Sequence, residues 1–152
     1  MSKLNYKEIE SYFNNNNIDD LLKIYEECFN DVDYYETQLI HHKLSDIFSV
    51  REAIQRLSGL YMSFRKPLAI ATTSIENGKA RHYHHLKMKH DTEESNKKFI
   101  SSSLDREASY LVAPYRRARN LFEAYVASCE KSIVGCQSLL SSLKTEKGLP
   151  QG

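Results

Sequence analysis

The chain has 152 residues, 41% of them hydrophobic and 27% charged, with a formal net charge of +1. That is the composition of one folded domain rather than of a disordered segment. The most apolar local run, Leu68 to Ala71, is too short to cross a membrane. The start, MSKLNYKEIES, lacks the apolar core and cleavage-like site of a secretory signal, so a cytoplasmic protein with no membrane contact is expected.

Five Gly, three Pro and no alternating strand pattern make the expected fold all-α. A short amphipathic helix is expected over residues 3–13 through Leu4, Ile9, Tyr12 and Phe13. The polar run Asn14 to Asn17 ends it and caps the next helix. The second helix carries Ile18, Leu21, Tyr25, Cys28, Val32, Tyr35 and Leu39 and is expected to reach about Leu44. Ser49 with Glu52 has the spacing of a capping box opening a third helix. Its apolar positions are Val50, Ile54, Leu57, Tyr61, Phe64, Leu68, Ala71 and Ile75. The short connection makes the second and third helices an antiparallel hairpin. Pro67 is expected to kink or divide the third helix, and Gly78 to loosen it before its basic end. From His90 to Ser103 the residues are polar and read as a connection, with the tail after Lys147 frayed.

The last third carries an apolar seam at alternating steps of four and three: Leu104, Ala108, Leu111, Tyr115, Ala118, Phe122, Tyr125, Cys129, Cys136, Leu139 and Leu143, with Ser132 interrupting it. A mean spacing of 3.5 keeps a stripe in line only if the helix winds around another helix. Ser102 with Asp105 offers a cap for one continuous helix, while Pro114 suits the first turn of a later start. A helix continuous over 104–146 would be about 60 Å long, more than a domain of this size covers by itself. The expected architecture is therefore a helical hairpin plus a long C-terminal helix that forms a coiled-coil-like oligomer of more than two subunits. Its contact residues would be Leu111, Tyr115, Phe122, Tyr125, Cys129, Cys136, Leu139 and Leu143. Burial of every seam inside one monomeric bundle is the alternative. The division falls into residues 1–98, the hairpin with a basic end, and 99–152, the oligomerisation helix.

Three cysteines without a CxxC pair do not form a disulfide framework. Cys129 and Cys136 are about 10.5 Å apart along one helix, and all three read as small core residues.

The near-zero total charge conceals an asymmetry. Residues 1–40 hold three Lys/Arg against nine Asp/Glu, residues 41–119 fifteen against eight with all six histidines, and residues 120–152 three against three. A basic middle suits an anionic polymer. Within it the segment IENGKARHYHHLKMKHDTEESNKK supplies Lys79, Arg81, Lys87, Lys89, Lys97 and Lys98. On a helix Lys79 and Tyr83 share one face, while Arg81, His84 and His85 share a neighbouring one. Cations for phosphates beside rings for unpaired bases are the ingredients of single-strand binding. The candidate DNA-binding residues are Lys79, Arg81, Tyr83, His84, Lys87 and Lys89. The histidines at 41, 42, 82, 84, 85 and 90 lack the partners of a zinc site, so no metal and no cofactor is expected. No phosphate loop, dinucleotide turn, nucleophile elbow or deaminase signature is present, and no enzyme is expected.

The KAR triplet Lys79, Ala80, Arg81, the rings at Tyr83, His84 and His85, the polar connection, and the stretch from Ile100 to Asp105 on to Phe122, Tyr125 and Cys129 together resemble the UvsY family of phage recombination mediators. The similarity covers roughly residues 75–143. It implies a non-enzymatic, ring-like homo-oligomer that binds single-stranded DNA and loads a RecA-like recombinase onto strands coated with single-strand-binding protein, in the cytoplasm of an infected host if phage-encoded. In that family the Lys and Arg of the triplet contribute to DNA binding, which corresponds to Lys79 and Arg81. The acidic first forty residues and Pro114 depart from the family pattern. The alternative is a coiled-coil phage structural or inhibitory protein that binds protein partners only.

Overall fold

The computed structural model describes residues 4–92 and 101–151. It is all-α among those residues: α1 Tyr6–Asn14, α2 Ile18–Ile40, α3 Ile47–Thr92, α4 Ser101–Leu111 and α5 Ala113–Glu146. Asn5 caps α1 in a capping box, its side chain accepting from the Glu8 N–H while the Asn5 N–H donates to Glu8. The expected box at Ser49 is not the start of α3. Asp46 holds that place instead, accepting from the Ser49 N–H at 2.8 Å and the Ser49 hydroxyl at 2.6 Å. A carboxylate suits an N-terminus better than a hydroxyl because it also meets the helix dipole. The hydrogen bonds from the Ser49 hydroxyl and then the Ser49 N–H hold the Asp46 pKa below the ordinary carboxylate value.

Three helices stop in the same way. Asn16, His42 and Gly148 each adopt positive φ just past α1, α2 and α5. In each case the following N–H reaches back five residues: Asn17 to the Tyr12 carbonyl, Lys43 to Gln38, Leu149 to Lys144. These are Schellman closures, and the one at His42 explains why α2 ends at Ile40 and not near Leu44.

α3 and α5 pack along each other in opposite directions. Gly78 of α3 lies against Val112 and Tyr115 at the start of α5, and Lys147 beyond its end acts on Asp46 at the start of α3. α2 runs with α5, through Asp19–Arg117, Asp33–Tyr125 and Leu39 beside Gly135. It runs against α3, through Asp31–Arg56 and Tyr25 beside Phe64. The antiparallel hairpin of α2 and α3 is thus present, but the extensive packing partner of α3 is α5.

The centre is a cluster of five rings. Phe29 stacks on Phe64 at 5.4 Å and on Tyr125 at 4.4 Å between centroids, and Tyr25 meets Phe122 edge-on at 5.1 Å. Such pairs each add about 0.5–1.5 kcal/mol beyond area burial. Residues on both sides of the expected division at 98/99 share this core. Pro67 neither divides nor ends α3; it is buried within the continuous helix.

The last helix is not continuous. It breaks at Val112, and α5 begins with Pro114 in its first turn, which is the second of the two readings of the sequence. Ser102 lies inside α4 rather than capping it. Arg116 braces the break, its guanidinium donating to the Ser109 carbonyl at 3.1 Å and hydroxyl at 2.6 Å.

Candidate nucleic-acid interface

Beyond Gly78, α3 leaves the three-helix core and continues to Thr92 with α4 packed beside it. This two-helix arm holds all the proposed DNA-binding residues. Gly78 does not loosen the helix; it is buried because a Cβ there would come within 3.1 Å of Val112 Cγ1 and 3.3 Å of Tyr115 Cε2. Tyr115 is itself fixed, donating to the Phe13 carbonyl at 2.8 Å and packing edge-on against the Phe13 ring.

Helical periodicity divides the arm of α3 into two faces. His82, Tyr83, Leu86 and His90 are half-buried, whereas Arg81, His84, His85 and Met88 are exposed at steps of three, one and three. Lys87 and Lys89 are exposed on the flanks. Lys79 and Arg81 therefore do different things. Lys79 is half-buried and pairs through Nζ with Asp105 Oδ1 of α4 at 3.2 Å, while Arg81 turns to solvent.

Two exposed residues escaped the sequence reading. Arg106 and Tyr110 lie one turn apart on the outer face of α4, with Tyr110 79% exposed. Their spacing of four was a usable signal, obscured by the seam residues on either side. Lys97 and Lys98 lie outside the described residues.

The proposed oligomerisation residues have a different setting. Phe122, Cys129 and Cys136 are wholly buried inside this chain. Tyr115, Tyr125, Leu139 and Leu143 are half-buried against the same core, and Leu111 is 43% exposed. Much of the seam is thus occupied by α2 and α3 of its own chain. No family model, curated protein or solved structure matches the chain.

Among the described residues no three His, Cys, Asp or Glu side chains gather to hold a metal ion, and no helix is long and apolar enough to cross a membrane. The cysteines are not placed for nucleophilic chemistry. Burial, followed by the charges of Glu36 and Glu130, pushes the Cys129 thiol up to about 12. Burial also raises Cys28 and Cys136. Thiols held neutral in this way are poor nucleophiles.

Tyr25 is pushed up to about 12 by burial and Cys28, and Tyr125 to about 12 by burial and then by Asp33 and Glu36. The unfolded chain releases these protons nearer the ordinary values of 9.0 for thiol and 10.0 for phenol. Below pH 9 their contribution to stability is fully present. Between those values and about 12 the unfolded state binds fewer protons than the folded one, so stability falls as pH rises. The urea midpoint is expected to be flat in this respect from pH 7 to 8.5 and to decline above pH 9. Thiol-reactive dye should label the cysteines only as the protein unfolds.

Proposed function

We propose that the protein is a non-enzymatic recombination mediator that binds single-stranded DNA through the outward face of the α3 arm. The observation that carries this reading is Arg81 with His84 and His85 on one solvent-facing stripe, flanked by Lys87 and Lys89, on a helix that has left the core. Such a stripe can hold phosphates while exposed rings stack on bases. Several arms on a homo-oligomer, ring-like and of more than two subunits, would meet the strand at high effective concentration once the first arm is bound. Such an assembly could take the strand from single-strand-binding protein and present it to a RecA-like recombinase. The acidic α2, with Glu26, Glu27 and Glu36, supplies a surface of opposite sign for those partners.

The alternative, a coiled-coil protein that binds only proteins, draws on the internal use of Lys79, Arg56, Arg116 and Arg117, which reduces the basic surface below what the sequence total suggests. Salt-dependent strand binding separates the two. Arg81→Ala is expected to weaken binding to an oligonucleotide and to lower the logarithmic salt slope by about 0.7. Asp105→Asn should act in the opposite direction, because it releases Lys79 from an acid that occupies the place of a phosphate. An exposed ion pair is worth about 0–1 kcal/mol, so the gain is at most several-fold. Absence of wild-type binding at low salt removes the mediator reading.

A further inference from the structure

We propose that strand binding by the α3 arm is coupled to proton uptake at His84 and His85, so that the arm grips a single strand more firmly as pH falls from about 8 to about 5.5. The inference rests on the strand-binding reading above and adds a regulation to that same stripe.

These two histidines differ in setting from the other four. His84 and His85 are exposed on the outward stripe, with Arg81 three and four positions before them and Met88 four and three after. His82 and His90 belong to the half-buried inner face of the arm. His41 and His42 follow the end of α2, next to the opposite end of α3, which lies about 55 Å along that helix from His84.

The charges around the two rings are one-sided. Between Glu76 and Asp91 α3 carries no carboxylate, while Arg81, Lys87 and Lys89 lie within about one turn of one ring or both. α4, packed beside the arm, brings Asp105, Arg106 and Glu107. Of these Asp105 is held by Lys79 at 3.2 Å, and Arg106 lies on the outer face. Among the described residues neither His84 nor His85 has a hydrogen-bond or ion-pair partner. A protonated ring here thus has cations as its closest charged neighbours and finds its counter-charge in a strand phosphate. An opposite charge within about 4–6 Å favours the protonated form of an imidazole by roughly tenfold or more. By reciprocity the protonated ring favours the phosphate by the same factor. Arginine and lysine keep their charge over this pH range and imidazole does not, so Arg81, Lys87 and Lys89 supply the constant part of the grip and the two histidines the conditional part.

The test is the affinity of the full chain for oligothymidine carrying a pH-insensitive dye, measured at pH 8 and pH 5.5 over a series of salt concentrations, with helix content checked at each pH. Thymine and phosphodiester keep their charge over this interval, so any proton taken up goes to the protein. Wild type should bind about tenfold or more tightly at the lower pH, with a logarithmic salt slope steeper by up to about 1.4, or about 0.7 for each ring. His84→Gln with His85→Gln should leave the thermal midpoint at pH 8 unchanged, both positions being exposed, and should lose the gain and the change of slope together. Arg81→Ala should weaken binding at both pH values and keep the gain, as should His41→Gln without the weakening. A gain that persists in the double histidine variant overturns the proposal and sends the protons elsewhere. A wild type that binds equally at both pH values with one salt slope overturns it and leaves the strand-binding reading standing. A wild type that binds at neither pH, even at low salt, removes that reading and the proton coupling with it.

Discussion

Phe122→Asp is expected to unfold the protein rather than to separate subunits. The ring lies wholly inside one chain, against Tyr25 at 5.1 Å and Phe29 at 5.7 Å. Truncating a buried Phe costs about 3–5 kcal/mol, and placing an uncompensated carboxylate there costs several more. Set against a typical total of about 5–15 kcal/mol, the sum removes most or all of the stability. Circular dichroism should show loss of helix or a thermal midpoint lowered by tens of degrees. Leu139→Asp, at a half-buried position, should be milder. A Phe122→Asp variant that kept its full helix content and merely changed in mass would place that ring between subunits and refute the packing described here.

Gly78→Leu is expected to displace α4 while leaving the five-ring core in place. Even the first added carbon meets Val112 at 3.1 Å and Tyr115 at 3.3 Å, and both neighbours are held, Val112 by complete burial and Tyr115 by its bond to the Phe13 carbonyl. Overpacking of this kind costs about 1–3 kcal/mol. Limited proteolysis should then cut within 101–111 at enzyme concentrations that leave the wild type intact, with α2 and α5 still protected. Gly78→Ala asks for a shift of only a few tenths of an ångström and should show the same pattern weakly. Unchanged protection of α4 in the leucine variant would sink this account of the arm.

The helices themselves were legible in the sequence because burial on one side of a helix leaves a three-and-four repeat, and Leu21, Tyr25, Cys28 and Val32 or Leu57, Phe64 and Ile75 fall inside as that repeat requires. The three cysteines were read correctly as core for the same reason. What the repeat does not encode is the owner of the opposing helix. The seam through Phe122, Cys129 and Cys136 announces a helical neighbour equally well whether it is another copy or, as here, α2 and α3 of the same chain. Boundaries failed where two residues could do one job: Asp46 and Ser49 stand three apart at one helix start, and the carboxylate takes the cap. Lys79 looked like an open cation because its partner, Asp105, is 26 positions away and no local pattern links them. The outward stripe of Arg81, His84 and His85, by contrast, follows from position alone once the helix is known to continue through Gly78.

α3 is 46 residues long, about 69 Å at 1.5 Å per residue. Its last fourteen residues, about 21 Å, are gripped along one side by an eleven-residue helix and by none of the five central rings. Mechanically this is a cantilever anchored in a rigid block. A load on its far end bends or unzips the overhang before the anchorage feels it, so whatever seizes Lys87 and Lys89 can reshape the overhang while the block keeps its form.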